Sequence, residues 1–406
     1  MHGWSPDRVA EAAGARLATA APGDEGPRRA VIDSREVTHG DLFVGLPGEQ
    51  VDGGRFAAQA LEDGAWGVLV APEHAPGGGT VLTADDPLAA LQRLATAWRR
   101  ALGAQVVGIT GSTGKTSTKD LLAGMLRPHR RTVATPQNWN TEIGLPLTIL
   151  SAPADTEVLV LEMAMRGRGQ IAELARIAEP DVALITNVGP VHLELLGSLE
   201  AIRETKLELV RELKPGGTAI VPAGLAEYVP GAVVPDGDLG SVEIPFESAH
   251  MRSNAAMALA AARALGVEPH GLIEVELSAR RGQRIELANG AVVVDDCYNA
   301  NPMSMRAALD ELSRASGRRV AVLGDMLELG PDERRFHEEI GAYARERADV
   351  LVTVGPLAAA MDGDHAVPDA AAAADLVAGL VKPGDTVLVK ASRGVGLEAV
   401  AEKLAV

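Results

Sequence analysis

The segment Gly108-Ile109-Thr110-Gly111-Ser112-Thr113-Gly114-Lys115-Thr116 carries the clearest chemistry in this 406-residue chain. An apolar run over 105–110 leads into a glycine-rich turn, and a helical stretch over 115–126 leaves it. Glycines let a backbone wrap a phosphate chain with its N–H groups, and the helix N-terminus adds a favourable dipole. Lys115 can reach terminal phosphates, and the Thr116 hydroxyl can hold Mg²⁺. The longer phosphate-loop pattern would want glycine at 109, where the chain has Ile109, so the motif is the shorter Gly-x-x-Gly-Lys-Thr. Gly111, Ser112, Thr113, Gly114, Lys115 and Thr116 are the expected ATP-binding set.

Polar residues close the neighbouring apolar runs. Glu162 ends Val158-Leu159-Val160-Leu161-Glu162, and Asn187 ends Val182 to Thr186, with His192 a few residues beyond. In open α/β sheets such strand ends face the ligand crevice. Glu162 is therefore expected to hold a Mg²⁺ bridging the β- and γ-phosphates, with His192 a possible second ligand. By residue type alone His192 reads more readily as a structural hydrogen-bonder, Lys206 as an exposed helical lysine, and Asn254 as an ordinary helix residue. The cluster Asp295-Asp296-Cys297-Tyr298-Asn299-Ala300-Asn301-Pro302 reads equally as a helix cap or as a ligand contact.

The elements that must position these groups follow from periodicity. Residues 1–102 hold short apolar runs (30–35, 41–46, 65–70) and helical stretches at 55–63 and 87–102, a small α/β domain. Residues 103–267 alternate buried strands (105–110, 158–162, 181–186, 218–221) with helices (115–126, 170–178, 198–213), and a helix follows at 251–265. This pattern calls for a central phosphate-loop ATPase-like parallel sheet. Residues 268–406 begin with a hairpin, 284–287 and 291–295. They continue with strands at 319–323, 350–354 and 386–390 between helices, a C-terminal Rossmann-like domain. The fold class is thus α/β in three domains.

Composition narrows the function. Lys and Arg number 38 against 55 Asp and Glu, a net charge of −17, which disfavours nucleic-acid partners. Four Phe, three Tyr and four Trp are too few for base-stacking platforms. The lone cysteine, Cys297, rules out a disulfide framework or a multi-cysteine metal site. The first residues lack a basic start and an apolar run, and no stretch approaches the ~18 apolar residues of a membrane span. A cytoplasmic protein without membrane insertion is expected.

Together these segments resemble the Mur ligases, the ATP-dependent amide-forming enzymes of peptidoglycan precursor synthesis. The resemblance runs through Asp33-Ser34-Arg35, Thr110 to Thr116, Asn138-Trp139-Asn140-Thr141-Glu142 and Leu161-Glu162-Met163-Ala164-Met165. It continues through Thr186 to Glu194, Asp296 to Pro302, and Val322-Leu323-Gly324-Asp325-Met326-Leu327-Glu328-Leu329-Gly330. The segments 298–302 and 324–330 are similar to the branch that adds D-alanyl-D-alanine.

The resemblance implies roles residue by residue. Lys115 and Thr116 would bind phosphate and Mg²⁺, with Glu162 on the first of two metal ions and His192 on the second. Lys206 falls where the family carries a carbamoylated lysine. Asn254, Arg284 and Asp296 would contact adenine and ribose, and Ser34 and Arg35 would meet the uridine nucleotide. Asn138, Thr141, Ser392 and Arg393 would complete the substrate sites, and Lys115, Lys206 and His192 would act in catalysis.

The implied substrates are UDP-N-acetylmuramoyl-tripeptide and D-alanyl-D-alanine, joined through an acyl phosphate by a monomer. The segment 222–249 is shorter than the family usually has. His250-Met251 stands where His-Asn is usual, and Ala391 where glycine is usual. A relative forming another amide bond, on a natural-product or folate-type substrate, and a non-catalytic nucleotide-binding module are the alternative readings.

Overall fold

The computed structural model describes residues 1, 3–21, 26–191 and 193–405. Among the described residues three sheets of five or six strands follow one another along the chain, with a two-stranded parallel pair, Val242–Glu243 on Gly271–Leu272, between the second and third in sequence. The first is ordered Arg16–Thr19, Val81–Thr83, Gly67–Val70, Leu42–Val44, Ala30–Val31, with only the first pair antiparallel. The second, wholly parallel, runs Thr218–Ile220, Val182–Ile185, Gln105–Thr110, Val158–Glu162, Thr132–Ala134. The third places Gln283–Glu286 antiparallel on Val292–Asp295, then continues in parallel through Thr386–Lys390, Arg319–Gly324, Val350–Val354 and His365–Val367.

Strand alternation explains how each parallel sheet is covered on both faces. In Gln105–Thr110, Val106 joins a core with the helices Pro87–Leu102, Gly144–Ser151 and Gln170–Ala178. Val107 and Ile109 face the opposite way, into a core with Lys115–Leu126 and the Ala-rich helix Ala249–Ala264. That second core also takes in Val267 and Ile273, with Val275 and Leu277 packed against it.

The helix Pro87–Leu102 ties the first sheet to the second. Asp86 caps its start by accepting the Ala89 N–H at 2.9 Å, and proline fits the first turn, where no N–H is needed. Trp98 Nε1 donates to Ala152 O at 3.1 Å, and Gln92 Nε2 to Glu173 Oε1 at 2.8 Å.

Most periodicity-based elements lie within a residue or two of those found. The run 30–35 does not: the strand stops at Val31 and a 3₁₀ turn, Ser34–Glu36, follows. Asp33 accepts the Arg35 N–H at 3.0 Å, a local turn bond that competes with strand pairing. No described helix is long and apolar enough to cross a membrane.

Candidate active site

The strand Gln105–Thr110 delivers the glycine turn to the carboxyl edge of the second sheet, and Lys115–Leu126 departs from it. Gly114 is left-handed at φ 77°, and a Cβ there would lie 2.5 Å from Asn254 Oδ1. Only glycine satisfies both constraints at low cost. Asn254, buried in the helix Ala249–Ala264, therefore stands against the loop. The turn is also pinned from the adjacent strand end. Asn187 Oδ1 accepts the Thr113 N–H at 2.9 Å, and Asn187 Nδ2 donates to Thr113 Oγ1 at 2.8 Å. Thr186 Oγ1 donates to Thr113 O at 2.6 Å, and Ser112 Oγ to Gly189 O at 3.0 Å.

Lys115 Nζ donates to Gly111 O at 2.9 Å. Desolvation lowers its ammonium below the ordinary lysine range; the Glu162 charge opposes this and the Arg281 charge adds to it. Thr116 Oγ1 donates to Glu162 Oε2 at 2.8 Å, while Asn140 Nδ2 donates to Glu162 Oε1 at 2.9 Å. The carboxylate is 1% exposed, so the two donors fix its orientation where bulk water cannot. Hydroxyl and carboxylate oxygens form a hard donor set of the kind Mg²⁺ takes.

Lys206, in Leu199–Arg211, is not the exposed helical lysine that residue type alone suggests. It is 1% exposed, and burial, reinforced by the Lys115 charge, pushes its pKa well below the usual value. His192 lies outside the described residues.

An open cleft of about 1690 Å³ spreads from this edge to the third sheet. Ser112, Thr113, Gly114, Lys115, Thr116, Asn138, Thr141, Glu162 and Asn254 line one side, and Arg284, Asp296, Ser392 and Arg393 the other. The third sheet also turns its carboxyl edge to the cleft. Lys390, at the end of Thr386–Lys390, donates to Asp296 Oδ2 at 2.6 Å and to Asn299 O at 3.0 Å. Ser34 and Arg35 are not brought to this cleft. They lie in the turn after the first-sheet strand Ala30–Val31, where Arg35 pairs with Asp33 and its side chain is 86% exposed.

Several contributors were not singled out from sequence. Asn140 sits inside the quoted motif 138–142, but its partner is 22 residues away. Arg281 lines the cleft, with its guanidinium 4.0 Å over the Tyr298 ring and its Nε buried without a hydrogen-bond partner among the described residues. Lys119 and Asp120 clasp Ser278: Lys119 Nζ donates to Ser278 Oγ at 3.2 Å, and Asp120 Oδ2 accepts the Ser278 N–H at 2.8 Å. That clasp fixes the chain on the second sheet's helices just before it enters the third sheet. Nothing local marks either residue.

Comparison with known proteins agrees with this layout. Family models described as Mur ligase family, catalytic domain, Mur ligase middle domain, and Mur ligase, glutamate ligase domain match residues 30–98, 109–229 and 280–393. The chain is 37% identical over 419 residues, 92% of each sequence, to the UDP-N-acetylmuramoyl-tripeptide–D-alanyl-D-alanine ligase of Bacillus subtilis. Its structure is similar to that of MurF from Acinetobacter baumannii, with a TM-score of 0.89 and 29% identity, covering 99% of this chain and 98% of that one. It is also similar to MurF ligase from Thermotoga maritima in complex with ADP, with a TM-score of 0.83 and 33% identity over 93% and 97% of the two chains.

Proposed function

The chain belongs to the Mur ligase family, and on that premise we propose that it joins D-alanyl-D-alanine to UDP-N-acetylmuramoyl-tripeptide at the expense of ATP, in peptidoglycan precursor synthesis. The observation that carries this reading is the Thr116–Glu162 contact beside Lys115, at the edge of a cleft shared by two sheets. A phosphate loop with a buried carboxylate on its threonine suits transfer of a γ-phosphoryl group.

Residues 1–102 bind the UDP-sugar through Ser34 and Arg35 in this reading. Residues 103–267 bind ATP, with Asn254, Arg284 and Asp296 around adenine and ribose. Residues 268–406 bind the dipeptide, with Ser392 and Arg393 facing it, and Asn138 and Thr141 complete the tripeptide side. A tripeptide carboxylate oxygen attacks the γ-phosphorus and ADP leaves. The dipeptide amine then attacks the acyl phosphate carbonyl, the C–O bond breaks, the nitrogen loses a proton and phosphate departs.

Lys115 offers its ammonium to the phosphoryl oxygens, and the loop N–H groups hold the rest of the chain of phosphates. Thr116 and Glu162 would hold one Mg²⁺, and His192 with carbamoylated Lys206 the second. Bound there, the ions neutralise charge between two anionic reactants. Lys206 fits the carbamate role because burial lowers the pKa of its amine, so that it sheds the proton more readily and exposes the lone pair that adds to CO₂. In this reading, closure of residues 268–406 over the cleft keeps water from the acyl phosphate. We place the reaction in the cytoplasm, performed by a monomer.

The test is phosphate release from ATP and Mg²⁺ with UDP-N-acetylmuramoyl-tripeptide, with and without D-alanyl-D-alanine. Turnover that depends on the dipeptide supports the assignment. Turnover indifferent to it would remove the dipeptide as substrate and leave the family intact.

A further inference from the structure

Behind the cleft wall formed by the third sheet lies a histidine with no part in the chemistry above. His337, in the helix Glu333–Arg345, is 0% exposed. Its Nδ1 is 2.7 Å from the Glu333 carbonyl one turn earlier, and its Nε2 is 2.9 Å from the Met326 backbone nitrogen. A carbonyl only accepts and an amide N–H only donates. Nδ1 therefore carries the proton and Nε2 is bare, which makes the imidazole neutral in a single tautomer.

The backbone it holds belongs to the loop 325–330, which follows the strand Arg319–Gly324. Other contacts fix the adjoining groups of that loop. The Leu327 N–H donates to Ser392 Oγ at 3.0 Å, Asp325 O accepts the Ser392 N–H at 3.0 Å, and Asp325 Oδ1 accepts the Ala358 N–H at 2.6 Å. Held in this way, the loop presents Leu327, Glu328 and Leu329 to the cleft. It also touches the second unit. The Glu194 N–H donates to Glu328 O at 3.5 Å, and a Cβ on Gly330 would lie 3.3 Å from the Glu194 backbone.

We infer that His337 is a positioning residue for the ligation: its bare Nε2 holds Met326 so that the loop 325–330 forms the dipeptide-facing wall of the cleft and the contact on which the third unit docks against residue 194. The identity of the substrate on that wall rests on the function proposed above; the hold on Met326 does not. Removing the acceptor leaves a buried N–H without a partner, and the loop then gives up the geometry that seats the substrate.

Two isosteric substitutions separate this role from mere packing. In H337Q the side-chain amide oxygen reaches the Nε2 position and keeps the Met326 bond. In H337N the amide reaches only the Nδ1 position and keeps the Glu333 bond alone. Amide hydrogen exchange of the peptide spanning 324–330 and steady-state kinetics are measured on both, with ADP binding as the control. H337N is expected to exchange about 10-fold faster in that peptide and to raise the dipeptide KM roughly 10-fold, with ADP affinity unchanged, while H337Q stays near wild type. Equal behaviour of the two variants, or an ADP affinity that falls as far as dipeptide binding does, would overturn the inference. If the wild-type protein showed no dipeptide-dependent turnover, the substrate assignment would fail, and the exchange comparison would still decide the role of His337.

Discussion

Thr116 and Glu162 lie 46 residues apart in sequence, yet the threonine hydroxyl donates to the carboxylate at 2.8 Å, joining the phosphate loop to the end of the neighbouring strand. The contact follows from topology. Gln105–Thr110 and Val158–Glu162 are adjacent parallel strands whose register pairs Ile109 with Glu162, so the helix start and the strand end share one edge. Replacing Glu162 by Gln keeps the shape and removes the charge. Ligation is expected to fall by about 100-fold or more, with thermal unfolding little changed. Steady-state phosphate release and a melting curve on the same preparation check it.

Asn140 holds the other oxygen of that carboxylate. Asn140→Ala should cost about 10- to 100-fold in activity, the range typical of groups that orient a metal ligand. Raising Mg²⁺ should recover part of the loss, whereas Glu162→Gln should recover none. A Mg²⁺ titration of both variants distinguishes them.

Lys206 gives a pH prediction whose sign is fixed. Its folded-state pKa lies well below the ordinary 10.5, so over the interval between those two values the unfolded chain binds the extra proton. Stability therefore rises with pH across that window, and the penalty of burying the amine vanishes above 10.5. In bicarbonate-free buffer, Lys206→Met should melt higher than wild type near neutral pH, and the gap should close as pH rises toward that value. The same variant should lack ligase activity at every bicarbonate concentration. Full activity would exclude the carbamate.

Gly114 and Asn254 make a paired prediction on nucleotide binding. Gly114→Ala must carry a Cβ at φ 77° and meet the Asn254 amide, so ADP affinity should fall by about 10-fold or more. Asn254→Ala relieves the collision without relieving the backbone strain. In the double variant the accompanying loss of thermal stability should be partly, not fully, restored, as read by scanning calorimetry, while ADP affinity stays low because the proposed Asn254 contact with the nucleotide is gone.

Much of the fold was legible because the signals are local. The buried run 105–110, the glycine pair and the amphipathic 115–126 each announce themselves within a dozen residues, and the elements form as expected. The strand expected over 30–35 failed for an equally local reason, since the Asp33 side chain makes a turn that ends it. Site residues divide along the same line. Thr116 and Glu162 end elements whose order fixes their meeting. Lys206 depends on burial, which helical spacing alone did not reveal, and resemblance rather than periodicity drew notice to it. Asn140, Ser278 and His337 owe their roles to hydrogen bonds with distant or backbone partners, which leave no pattern in residue type.

The central claim is that the carboxylate of one substrate is phosphorylated before the amide forms. UDP-N-acetylmuramoyl-tripeptide labelled with ¹⁸O in its terminal carboxylate, turned over with ATP and D-alanyl-D-alanine, tests this most directly by mass analysis of the released phosphate. The oxygen that attacks phosphorus stays on phosphorus when the amine displaces it, so the account predicts one labelled oxygen in each phosphate released. Phosphate free of label, or pyrophosphate with AMP in its place, would contradict it.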